Sequence, residues 1–187
     1  MEDEKYNLEK TEARTKKIID NNLKEHLSDF VTEITHGLID EEKNHITTEV
    51  KKVPEIFVLL NDKEHFVPGK KFFCSNEGVV EYIESEMDTD LGKLKLLHEY
   101  CHKVFSHTGK VSDHEALKNE RVAWFFAIET FEKFWRVIDD GMITSVKQMF
   151  NTYEKFILEK SICPSCGTTG SEFAPQKYTC ENCYTDW

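Results

Sequence analysis

Two sets of side chains in this chain have the types and spacing of metal ligands. Cys163-x-x-Cys166 is followed by Cys180-x-x-Cys183, and His98-Glu99-Tyr100-Cys101-His102 reads H-E-x-x-H. Four thiolates in two such pairs can converge tetrahedrally on one Zn²⁺ at about 2.3 Å, which leaves no open coordination position. The cysteine set therefore predicts a structural zinc site, and Pro164, Gly167 and Thr168-Thr169-Gly170 supply the bends of a two-knuckle ribbon over 161–187. In H-E-x-x-H, two histidines one helical turn apart share a face, so both imidazoles reach one ion. The glutamate beside them is placed to serve as a base on water. That chemistry is catalytic: Zn²⁺ with protein ligands and one position left for water or substrate.

A third protein ligand is then required, and three downstream residues are candidates. His107 lies five residues past His102, on the continuing helix or its end, where the backbone hardly folds it back to the same ion. His114 follows the Thr108-Gly109-Lys110 turn and could return as a loop ligand. Glu120 opens the helical segment Glu120-Arg121-Val122-Ala123-Trp124-Phe125-Phe126-Ala127. Ala123 and Ala127 share its face, which is cut down to methyl groups. Such a face lets two helices approach closely enough for a short carboxylate to reach the ion, while Val122, Phe125, Phe126, Phe131, Phe134 and Trp135 fill the core. Glu120 is the expected third ligand and His114 the alternative. His107, His114 and Tyr153 are also the candidates for a second electrophile.

H-E-x-x-H followed by E-x-x-A-x-x-F-A, here His98, Glu99, His102, Glu120, Ala123, Phe126 and Ala127, resembles the ImmA/IrrE family of small gluzincin-type metallopeptidases. The resemblance covers roughly 80–140. It implies an α+β zincin-like peptidase of phage, mobile-element or bacterial stress-response origin, acting on a protein substrate such as a transcriptional repressor. By position it makes His98, His102 and Glu120 the catalytic zinc ligands and Glu99 the general base. The chain departs from that pattern at Cys101, where the family usually has glycine, at Ile128-Glu129-Thr130-Phe131 in place of Leu-Leu-Met-Pro, and in its cysteine ribbon. A second resemblance is to SprT-like proteases, which pair H-E-x-x-H with a later histidine, here His114, and a C-terminal zinc ribbon. A third possibility is an inactive zincin fold serving as a protein-binding module.

The elements that must position these residues follow from periodicity. Thr11 to Leu38 carries Ile19, Leu23, Leu27, Phe30, Ile34 and Leu38 at helical steps, an amphipathic helix whose stripe covers the core. Ile56-Phe57-Val58-Leu59-Leu60, Phe72-Phe73-Cys74 and Val79-Val80-Glu81-Tyr82-Ile83 are apolar runs that predict strands of a small antiparallel sheet. Asp88-Thr89-Asp90 caps the H-E-x-x-H helix, and Leu91, Leu94, Leu97, Cys101 and Phe105 form its apolar stripe. After the Asp139-Asp140-Gly141 break, Val146, Met149, Phe150, Tyr153, Phe156 and Ile157 predict a last helix leading into the ribbon. The expected division is a peptidase domain over 1–160 and a ribbon over 161–187, with no internal repeat.

The chain has 187 residues and a formal net charge of -11. That charge argues against nucleic acid and anionic membrane surfaces as primary partners. The acidic block Glu77, Glu81, Glu84, Glu86, Asp88 and Asp90 reads as a solvated face, or as an attraction for basic peptides if it borders the cleft. Met1-Glu2-Asp3-Glu4-Lys5 is not the start of a signal peptide and no apolar run is long enough to span a bilayer, so a cytoplasmic protein is expected. In that compartment the six cysteines are zinc ligands and reduced thiols, and disulfides are the less consistent alternative. Oligomeric state is not written in the composition.

Overall fold

The computed structural model describes residues 24–107, 109–135 and 137–187. It is an α+β arrangement of six helices with a three-stranded and a two-stranded sheet. Helix α1 covers 24–34, and its Phe30 and Ile34, with Leu38 just beyond, are buried as the periodicity requires. The expected helix ends four residues short of Leu38, in a turn at 35–37, and the part containing Ile19 and Leu23 lies outside the described residues. Helix α2 (Asp40–Lys52) was not anticipated. The Ile39 N–H donates to the Glu42 carboxylate at 3.0 Å, acidic residues fill the first turn and lysines the last, and Ile46 and Val50 are buried. These charges complement the helix dipole.

Ile56–Asn61 is a short helix, α3, and not the expected strand. Ile56 and Leu59 are buried while Val58 is exposed, a three-residue spacing that puts one face inward. A five-residue apolar run does not distinguish strand from helix by itself. Strands β1 (Phe66–Pro68), β2 (Phe73–Cys74) and β3 (Val80–Tyr82) form a sheet ordered β1-β3-β2. The sheet is mixed, not antiparallel throughout: β2 pairs antiparallel with β3 across the Ser75–Gly78 turn, and β1 pairs parallel with the other side of β3. Strand β1 is the one the apolar runs missed. Pro68, which has no N–H to give, ends it at the sheet edge.

Helices α4 (Asp90–Val104), α5 (Asp113–Phe134) and α6 (Asp140–Lys160) form the body. Each begins at an oxygen-bearing cap: Thr89 accepts from the Gly92 N–H, Ser112 from Glu115 and Asp139 from Met142. Gly92 is buried against the short 3₁₀ turn Glu84–Glu86, where a Cβ would overlap the Glu86 carbonyl oxygen. Leu94, Leu97, Cys101, Ala123, Phe126, Ala127 and Phe131 are fully buried, and α4 against α5 is the most extensive contact between elements. On α6, Val146, Phe150 and Ile157 are buried, but Phe156 is 55% exposed despite its place in the predicted stripe. Strands β4 (Ser171–Ala174) and β5 (Lys177–Thr179) make an antiparallel hairpin after α6. Among the described residues no helix is long and apolar enough to cross a membrane.

Candidate metal centres

The close approach of α4 and α5 brings three donor atoms together. His98 Nε2 lies 3.2 Å from Glu120 Oε2 and 3.2 Å from His102 Nε2, and His102 Nε2 lies 3.5 Å from Glu120 Oε1. A tetrahedral ion bound at about 2.0–2.1 Å holds its ligand atoms about 3.3 Å apart, so the set fits one metal ion without rearrangement. Ala123 and Ala127, with no exposed surface, supply the small face that permits this approach. Glu120 sits two turns inside α5 and not near its start, because the helix begins at Asp113.

That earlier start also relocates His114. Ser112 caps α5, so His114 falls in the first helical turn instead of a loop. It is exposed and lines a separate groove with His36, Leu38 and Leu117, outside the His98–His102–Glu120 cluster.

The end of α4 brings back a different residue. Ser106 takes a left-handed conformation at φ 54°, its N–H donates to the Lys103 carbonyl, and the His107 N–H donates to the His102 carbonyl at 2.9 Å. This is a Schellman termination, which stacks the second residue past the helix over its last turn. His107 Nδ1 thereby lies 3.2 Å from His102 Nδ1, on the side of the ring away from Glu120. His107 does fold back, as an outer partner that orients His102 and not as a member of the ligand cluster. His98 is oriented differently. Its Nδ1 is buried without a hydrogen-bond partner, and its ring packs on Trp124 at 4.0 Å between centroids.

Electrostatics separate the roles of the two glutamates. Burial pushes Glu120 up, but the neighbouring imidazoles, His98 first, outweigh it and hold the carboxyl below its ordinary range. Burial pushes Glu99 up, and Glu120 adds to that against the opposing pull of His98. Glu99 is therefore the more proton-retentive carboxylate. Burial takes His102 down to about 3 and His107 to about 4, so both rings are neutral and able to act as ligand or acceptor. Cys101 and Cys74 remain thiols, since burial raises both, Cys74 to about 11.

A cleft of about 270 Å³ opens onto this cluster. His102, His107 and Glu120 lie at one side, Tyr153, Phe156, Ile157 and Lys160 of α6 form a wall, and Gln176 of the ribbon completes it. Burial raises the Tyr153 pKa and the negative charge of Glu120 adds to it, so its hydroxyl stays protonated. None of the acidic block lines this cleft. Glu81 accepts from the Lys70 N–H, and Glu86 and Asp90 pair with Lys95 and Lys93.

The four cysteines form the second cluster. Cys163 Sγ lies 3.5 Å from Cys183 Sγ and Cys166 Sγ lies 3.4 Å from Cys180 Sγ, with one donor set within 4.8 Å. Convergent sulfurs of this number and spacing could hold a metal ion, as could the His₂Glu set. The two knuckles are a structural repeat that the sequence reading did not register, C-x-x-C-x-T at Cys163–Thr168 and Cys180–Thr185. In the first, Gly167 donates to the Cys163 carbonyl and Cys163 to that of Thr168; Tyr184, Cys180 and Thr185 repeat the pattern. Gly167 at φ 74° has its counterpart in Tyr184 at φ 56°. The Thr168 hydroxyl and N–H, with help from Asn182, lower Cys166 to about 5.

No family model, curated protein or solved structure matches the chain. Sequence reasoning brought His98, His102, Glu120 and the four cysteines into two groups that the fold also assembles. It gave no role to Trp124 and none to Gln176, whose positions depend on tertiary packing alone.

Proposed function

We propose that the chain is a zinc-dependent endopeptidase in which His98, His102 and Glu120 hold the ion and Glu99 is the general base. The observation that carries this reading is the convergence of two imidazole nitrogens and a carboxylate, held by two helix interiors, at the side of an open cleft. Zinc held there supplies Lewis acidity, polarising a carbonyl oxygen and lowering the pKa of water from about 15.7 toward 7. Glu99 takes the proton of the attacking water and delivers it to the leaving amide nitrogen, a role its raised pKa suits. Tyr153 offers a protonated hydroxyl on the facing wall as a hydrogen-bond donor to the substrate. His107 holds the His102 ring in its ligating orientation.

The four-cysteine cluster holds a second, structural zinc. The resemblance to the ImmA/IrrE family extends the proposal to a regulatory protein substrate such as a transcriptional repressor. The SprT-like alternative would need His114 at the ion, and that residue lies on another face of α5. The experiment is Glu99→Gln on zinc-loaded protein against a peptide mixture. Cleavage should fall by about 10²–10⁴ while the zinc content stays at two per chain. Cleavage at the original rate would reject the mechanism, and an inert wild type with both ions bound would leave the binding-module alternative.

A further inference from the structure

Resting on the open metal site proposed above, we infer that the ribbon is a wall of the substrate cleft. With α6 it selects an uncharged, polar substrate side chain.

The ribbon is locked to the helix that carries Glu120. Both carboxylate oxygens of Glu172, on β4, accept from the Asp113 N–H, at 3.0 and 2.9 Å, at the start of α5. That N–H has no partner within the helix, and an anion there is favoured by the dipole. The Asp113 side chain is itself buried between two partners, accepting from Lys160 Nζ at 3.0 Å and from the Tyr178 hydroxyl of β5. Trp187 stacks on Tyr178 and its indole N–H donates to the Lys160 carbonyl at 2.8 Å. Glu172 also accepts from the Gln176 N–H at 2.7 Å. One carboxylate thus joins the start of α5 to the hairpin tip that reaches the cleft.

The chemistry of the cleft follows from what these bonds consume. Lys160 is the cation on its rim, and Asp113 takes that charge. Most of the surface the walls expose is polar, the amides of Asn119 and Gln176 and the Tyr153 hydroxyl among it, and Val111, Ala116 and Phe156 supply the smaller apolar part. Phe156 explains its departure from the buried stripe of α6: it stands exposed at the cleft and not against the core. A volume of about 270 Å³ falls just below the usual range for a whole small-molecule ligand, and accommodates part of a chain.

The test uses the zinc-loaded full chain and single amino-acid hydroxamates of glutamine, lysine and aspartate as probes, with dissociation constants measured by calorimetry. The wild type should bind glutamine hydroxamate at least about tenfold more tightly than the two charged probes. Phe156 and Gln176 are exposed, so charges can be placed there without disturbing the core. Phe156→Lys should shift the aspartate-to-lysine preference about tenfold toward aspartate, and Gln176→Glu about tenfold toward lysine. Unchanged ratios in the Gln176 variant would overturn the ribbon wall, and absence of any hydroxamate binding to protein holding two zinc ions would overturn it together with the open site. If the predicted selectivities appear but the wild type cleaves no peptide, the wall stands and the peptidase reading fails.

Discussion

The two candidate metal centres are built in opposite ways. The four-cysteine cluster takes its donors from two short knuckles with the same internal hydrogen bonds, so each half is held by bonds of its own. The His₂Glu cluster takes its donors from the interiors of α4 and α5 and exists only because alanines let those helices close. The first is lined by its four sulfurs and the Thr168 and Thr185 hydroxyls, with Cys166 and Cys183 at the surface. The second faces a cleft. A closed site can be specified by spacing within one segment, whereas an open one needs rigid elements from separate parts of the chain to hold incomplete coordination against collapse.

The largest expected effect tests which carboxylate or imidazole completes the open site. Glu120→Ala should drop the zinc content from two ions per chain to one, and His114→Ala should leave two, by metal analysis with the cysteine site as internal reference. The reverse pattern would move the third ligand and dissolve the contrast between the centres. Next comes stepwise chelation. A competing chelator should strip the His₂Glu ion first and the thiolate-bound ion later, as two resolved phases of zinc release; one phase, or the opposite order, would show that the cysteine site is not the closed one.

A smaller effect concerns protons in the metal-free protein. Burial depresses His107 to about 4, so between that value and the unfolded value near 6.5 the unfolded chain binds the extra proton. Stability from this group is complete above about pH 6.5 and is lost as pH falls toward 4. Relative to His107→Asn, the wild type should therefore lose up to about 1 kcal/mol per pH unit over that window in urea unfolding, solvent at the half-buried ring reducing the full value. Equal pH dependence in both proteins would remove His107 from the buried site. Last, Asp113→Asn should destabilise by about 1–3 kcal/mol, because it weakens the charged hydrogen bonds to Lys160 and Tyr178 while Lys160 keeps some contact with water. A melting temperature unaffected by this change would mean that the ribbon is merely appended.

Legibility differed by element for physical reasons. Helix α4 was readable because a cap, a stripe and an absence of proline all agree over fifteen residues. Six residues are too few for α3 to show a period, and α2 has little apolar pattern because only Ile46 and Val50 of its thirteen residues are buried. The start of α5 is hard to read because the four residues that follow Ser112 include no large apolar side chain.

By itself the sequence determined which residues could ligate metal: the donor types, the four-residue step of His98 and His102, and the paired C-x-x-C turns are properties of short segments. It also determined that α5 could come close, through Ala123 and Ala127. The tertiary structure alone decided that Glu120 and not His114 joins the histidines, because that choice depends on how α5 is rotated and where it begins. It alone decided that His107 returns to His102, through a left-handed Ser106 that carries no residue-type signature, and that the ribbon sits against the cleft. Spacing along a chain fixes distances only within an element; between elements, packing and the pairing of buried polar groups such as Asp113 set them.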